Sequence, residues 1–186
     1  MKFNEHYKLR GAHSFLSPSN PAWLNYSEDK LYDRYMNSLE AARGTALHAY
    51  AEMAIRLKQN QSRSRKTVNM YINDAIGYRM SPEVILFYSE NAFGTADTIS
   101  FRKNLLRIHD LKTGVTPAKM EQLKIYNAFF CLEYDYSPND IESELRIYQS
   151  DEVLIENPDP EEIMEIMAKV VAFDKFIRAI KEEAEQ

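Results

Sequence analysis

The stretch from Gly94 to Gly114 leaves its chain few ways to fold. It reads as strand, tight turn, strand. A turn centred on Lys103-Asn104 sets Asp97 opposite Asp110. Side chains alternate faces along a strand, so Thr95, Asp97, Ile99 and Phe101 share a face with Leu106, Ile108, Asp110 and Lys112. That face is apolar near the turn and ionic at the open end. Two carboxylates opposed across a ladder repel each other unless positive charge lies between them. A divalent cation would supply that charge, with Lys112 pointing the same way. The other reading is a surface hairpin with ordinary charged residues.

Further motifs flank the hairpin. Upstream stands Arg43-Gly-Thr-Ala-Leu-His48, with Glu52 one helical turn on, and downstream Gln122-Leu-Lys-Ile-Tyr126. A single histidine on a helix is most often a packing or surface residue. Here it follows Gly44-Thr45, and glycine permits close helix–sheet approach. Glu52 at i+4 would orient the imidazole or add a ligand. Gln122 and Tyr126 share one helical face with Lys119 a turn earlier; that face meets DNA or simply faces solvent. His109 points to the face opposite Asp110 and reads as structural. Ser17 and Ser19 read as helix caps or phosphate contacts.

The order G-T-x-x-H, G-x-x-D, D-x-K, Q-x-x-x-Y resembles the PD-(D/E)XK nuclease superfamily, and within it the RecB-like branch of CRISPR-associated RecB-like nucleases and phage exonucleases. Leu16-Ser-Pro-Ser19 followed by Trp23 is similar to the S-x-S segment near the start of many such proteins. The resemblance spans residues 16–126. It implies a restriction-endonuclease-like α/β core, a mixed central sheet flanked by helices. It also implies phosphodiester hydrolysis with Mg²⁺ or Mn²⁺, hard cations suited to oxygen ligands. Carried over, the metal ligands are His48, Asp97, Asp110 and the Leu111 carbonyl. The catalytic set is Asp97, Asp110 and Lys112, with the lysine holding the attacking water or the scissile phosphate. The expected activity is that of an exonuclease at DNA ends, in recombination, replication or DNA processing. DNA and a recombination or replication protein are the implied partners, and a homo-oligomer stays open. The alternatives are a catalytically silent nuclease-fold module for DNA or protein binding, and a site-specific endonuclease, for which 186 residues leave little room.

Composition sets the remaining bounds. With 45% hydrophobic and 27% charged residues, the chain reads as one globular domain, residues 1–186. No apolar run approaches the roughly 20 residues that span a bilayer, and the polar N-terminus lacks a signal-peptide core, so a cytoplasmic place in a bacterial or phage-infected cell is expected. Cys131 is the only cysteine, which excludes an intramolecular disulfide and a four-cysteine iron–sulfur cluster, a departure from many CRISPR-associated relatives. A net charge of −5 confines nucleic-acid binding to local patches. Lys58, Arg63, Arg65 and Lys66 form one candidate, or else a solvated interhelix loop.

Periodicity and turn chemistry predict helices over 28–39, 43–58 and 66–79, then strands over 83–89 and in the hairpin. A helix capped by Thr116-Pro117 should run to Tyr134. Strands over 141–149 and 152–155 follow, and a final helix starts at Asp159-Pro160 with an apolar stripe from Ile163 to Ile180.

Overall fold

A computed structural model describes residues 7–9 and 11–184. The chain separates into two compact units, residues 1–43 and 44–186, and the boundary falls inside a helix instead of at a linker. In the first unit, the Trp23 indole N–H donates to the Ser17 carbonyl at 3.1 Å, and the Phe15 and Tyr35 rings meet edge to face. Ser17 caps no helix; its hydroxyl accepts the Ser19 N–H. Ser27 takes the capping role instead, its hydroxyl accepting the Lys30 N–H at 3.3 Å.

Helix α1 spans Glu28–Arg56 as one element where two were expected. A single glycine costs a helix only about 1 kcal/mol, and Gly44 is flanked by the alanine-rich run Ala41, Ala42 and Ala46. Helix α2 covers Thr67–Gly77. The second unit then builds β1 (Ser81–Ser89), β2 (Ala92–Arg102), β3 (Leu105–Leu111), α3 (Glu121–Tyr134), β4 (Glu142–Gln149), β5 (Glu152–Glu156) and α4 (Pro160–Ala184). The strands lie in sequence order in one mixed sheet; β3 and β4 are parallel and the other neighbours antiparallel. The protein is thus α/β, as expected.

Both β2–β3 and β4–β5 close through two-residue turns with positive φ: Lys103 (+51°) and Asn104 (+60°), Ser150 (+51°) and Asp151 (+62°). Such turns match the twist of paired strands. Asp151 also anchors the start of α2, its carboxylate accepting the Thr67 N–H at 2.8 Å.

Helix α3 begins at Glu121, not at Thr116. The Gln149 side chain accounts for the difference. Its amide donates to the carbonyls of Gly114 (2.6 Å) and Thr116 (2.8 Å), and its oxygen accepts the Ala118 N–H (3.0 Å). Backbone groups committed to a side chain cannot start a helix ladder. The final helix starts as expected, with the Asp159 carboxylate accepting the Glu161 N–H at 2.8 Å.

Two apolar clusters sandwich the sheet. One joins Leu86, Ala96, Ile99, Leu106 and Ile108 to α3 and to Ile163 of α4. The other joins Leu111 and Tyr148 to Tyr71, Ile72 and Ala75 of α2 and to Ala51, Ala54 and Ile55 of α1. Only the first half of the α4 stripe is covered; Phe173 and Ile180 are exposed. Among the described residues no helix is long and apolar enough to cross a membrane.

Candidate metal centre

The β2–β3 ladder pairs Thr98 with His109 and Ile99 with Ile108, the register expected from the turn. Asp97 and Asp110 therefore lie at the open end, one step beyond the last pair. The Asp97 carboxylate bridges the gap by accepting the Leu111 N–H at 2.9 Å. Helix α1 brings His48 alongside, with Nδ1 3.5 Å from Asp97 Oδ2.

The sequence did not disclose Glu83. On the other side of β2, Pro82 pairs with Thr98 and Val84 with Ala96, so the unchanged register sets Glu83 directly opposite Asp97. Glu83 has φ +52°, a conformation that costs a non-glycine residue of order 1 kcal/mol and persists where its surroundings impose it. In β2 the core-facing residues switch from Ala96 to Ile99, which breaks the alternation of faces at Asp97-Thr98. The outcome is a three-residue group: donor atoms of His48, Glu83 and Asp97 all lie within 4.8 Å of one another. Its only sequence trace is an acid directly after Pro82.

Asp110 joins the group through charge. Lys112 Nζ lies 3.0 Å from both carboxylate oxygens, hydrogen-bonding Oδ1 and ion-pairing Oδ2, which is buried and makes no hydrogen bond. Burial, then the charge of Asp97, raises the Asp110 carboxyl above the ordinary range against the opposing pull of Lys112. Asp97 is raised by burial and by Glu83, opposed by the Leu111 N–H, His48 and Lys112. Carboxylates so placed are under-compensated, and a cation would relieve them. The converging Glu83 and Asp97 carboxylates and the His48 imidazole, with the Asp110 carboxylate adding negative charge beside them, form a donor set that fits Mg²⁺ or Mn²⁺.

The downstream motif is wired into the same place. Lys112 Nζ donates to Gln122 Oε1 at 2.9 Å, and Gln122 Nε2 reaches the Tyr126 hydroxyl at 3.4 Å. The Tyr126 hydroxyl in turn donates to the Thr95 carbonyl at 2.7 Å. Two glycines make room for this. A Cβ on Gly94 would meet Tyr126 Cε1 at 2.9 Å, and one on Gly44 would meet Thr113 Oγ1 at 2.7 Å. Gly94 is thus the seat of the tyrosine of the downstream motif, and Gly44 that of the residue directly after Lys112.

Other expected residues are placed elsewhere. Glu52 pairs with Arg56 at 2.8 Å instead of orienting His48. Lys119 is exposed but precedes α3, so it does not share a helical face with Gln122 and Tyr126. Arg63 and Arg65 lie exposed in the α1–α2 loop, which Asn69 orders through bonds to Ser62 and Ser64. Leu111 closes β3 in full burial. His109 is fully enclosed on the opposite face, its Nδ1 3.3 Å from the Tyr148 hydroxyl. Cys131 is buried in α3, and burial lifts its thiol to about 11. No family model, curated protein or solved structure matches the chain.

Proposed function

We propose that the protein is a metal-dependent DNA nuclease with a RecB-like PD-(D/E)XK core, acting as an exonuclease on DNA ends in recombination, replication or DNA processing. One observation carries the reading: His48, Glu83 and Asp97 converge at the open end of the hairpin that also bears Asp110 and Lys112.

In this reading His48, Glu83, Asp97, Asp110 and the Leu111 carbonyl hold Mg²⁺ or Mn²⁺. Such an ion lowers the pKa of bound water and offsets charge developing on phosphate oxygens. The chain's own residues supply the rest. The Leu111 N–H fixes the Asp97 carboxylate, leaving its second oxygen for the metal. Lys112, steadied by Gln122, presents an ammonium at the rim, where it holds the attacking water or a non-bridging phosphate oxygen. Tyr126 fixes Gln122 against the Thr95 carbonyl. Gln122 and Tyr126 thereby act chiefly by positioning Lys112, and secondarily as a surface for the substrate strand.

The test is incubation of end-labelled linear and closed circular DNA, single- and double-stranded, with Mg²⁺, Mn²⁺ or EDTA. Linear DNA should be shortened from its ends with either metal and left intact in EDTA. Intact DNA under every condition would return the protein to the class of silent nuclease-fold binding modules. Equal attack on closed circles would make it an endonuclease.

A further inference from the structure

The open face of β1 and β2 leads directly away from the metal centre. Val84 and Leu86 pack into the core, so Ile85 and Phe87 point to the other side of the sheet. Helix α2 lies over β3 and β4, and Ile85, Phe87 and Phe93 stay 59%, 46% and 59% exposed. Phe87 pairs with Phe93 across the ladder, their rings 6.3 Å apart and within 32° of parallel. Glu83 of the metal centre stands two residues before Ile85 on the same strand, about 13 Å along it from Phe87 at roughly 3.3 Å per residue. Past the rings Phe87 lines a cleft whose other walls include Glu90, Arg178 and Lys181. A row therefore runs from the carboxylates over apolar and aromatic side chains to the sheet edge at Phe87, where Arg178, paired with the Asp174 carboxylate, and Lys181, bonded to Asn91, reach the cleft from α4.

We propose that this row is the track of a single-stranded nucleic acid end: one phosphate at the metal centre, adjacent bases on Ile85 and the Phe87–Phe93 pair, and a later phosphate at Arg178 and Lys181. The proposal deepens the nuclease reading and rests on it for the direction of the track. Rings stack on any base and cations follow the backbone, the recurring chemistry of sequence-tolerant single-strand binding. A protein partner fits the face poorly. Three side chains make a patch far below the roughly 800 Å² per partner of a stable interface. Pairing by an added strand is obstructed as well, because the Glu133 carboxylate occupies the edge N–H of Phe87 at 2.7 Å. A duplex end would have to unpair to reach the rings.

Fluorescence anisotropy of labelled oligothymidylate and of a blunt hairpin duplex, both in EDTA, tests the track without cleavage. The wild type should bind the single strand more tightly. Phe87→Ala with Phe93→Ala should weaken single-strand binding about tenfold or more and change duplex binding little. Phe87→Leu with Phe93→Leu, which keeps the apolar surface but removes the rings, should show the same loss with an unchanged melting temperature. Arg178→Gln with Lys181→Gln should shallow the salt dependence of single-strand binding. Hydrolysis of bis(p-nitrophenyl) phosphate with Mn²⁺ should survive in all these variants, since that ester reaches only the metal. A wild type that binds oligothymidylate but never hydrolyses the ester would sink the nuclease reading and leave the track standing. Leucine and alanine pairs that bind like wild type, equal losses on duplex and single strand, or a wild-type dimer that the alanine pair converts to monomer would each overturn the track.

Discussion

Asp110 is buried with both carboxylate oxygens 3.0 Å from the Lys112 ammonium, only Oδ1 in hydrogen-bonding geometry, and the charge of Asp97 adds to the cost of its burial. Such a group lowers the stability of the metal-free fold while serving a ligand. Asp110→Asn should therefore abolish cleavage, leave the EDTA-treated protein as stable as wild type or more so, and shrink the stabilisation given by Mn²⁺. Binding to the folded state alone adds roughly 2.7 kcal/mol at a hundredfold excess over the dissociation constant, so the wild-type shift is measurable in thermal melts. Lys112→Ala should separate the two effects. It removes the counter-charge of Asp110, so the metal-free fold weakens by up to about 1 kcal/mol, a modest figure because the ammonium is partly exposed. Its response to Mn²⁺ should persist while catalysis is lost, because the lysine is no ligand. If Asp110→Asn kept the full metal response, or its activity, the active site would have to lie elsewhere.

At the scale of elements, the motifs interlock. Tyr126 of α3 rests on Gly94 of β2, and its hydroxyl fixes both Gln122 and the Thr95 carbonyl. Gly94→Ala should push the ring aside and free Lys112, cutting turnover about tenfold or more while costing about 1 kcal/mol of stability, the usual toll of mild overpacking. Gln122→Ala should likewise lower kcat more than it raises KM. Full activity in Gly94→Ala would show that the Tyr126–Gln122 chain does not hold Lys112. The hairpin register was legible because Lys103-Asn104 accepts the positive φ of a two-residue turn and apolar residues alternate on either side. Glu83 was hidden by the opposite circumstance. The β1–β2 pairing shifts register near its own turn, between Phe87 and Ser89, so counting from that turn does not set Glu83 opposite Asp97. The start of α3 was misplaced for a non-local reason, since Thr116-Pro117 has good capping chemistry but Gln149, distant in sequence, claims the backbone around it. The pairing of Glu52 with Arg56 instead of His48 shows a nearer competitor at the same i+4 spacing.

For the whole molecule, acid acts on the two faces of β3 with opposite sign. His109, enclosed between Tyr78 and Tyr148, is lowered from 6.5 to about 3 by burial, with Arg146 and Arg107 adding to the shift. As pH falls through the unfolded value, the unfolded chain takes up a proton that the folded one refuses. Stability is thus lost progressively below pH 6.5, at up to about 1.4 kcal/mol per unit. Asp97 and Asp110 are raised, so in the metal-free protein the folded chain is protonated first and acid relieves their repulsion. The two trends partly cancel in EDTA. With Mn²⁺ they no longer do, because the carboxylates must be ionised to bind and protons compete with the ion. Melting temperature should therefore fall more steeply between pH 7 and pH 5 with Mn²⁺ than with EDTA. His109→Phe should flatten both slopes by a similar amount, the Tyr148 hydroxyl keeping its bond to Asp74. Asp110→Asn should flatten chiefly the Mn²⁺ slope. Melts at several pH values with and without Mn²⁺ decide the matter. Identical slopes in the two conditions would mean that the buried carboxylates hold no ion, and the metal centre would lose its physical basis.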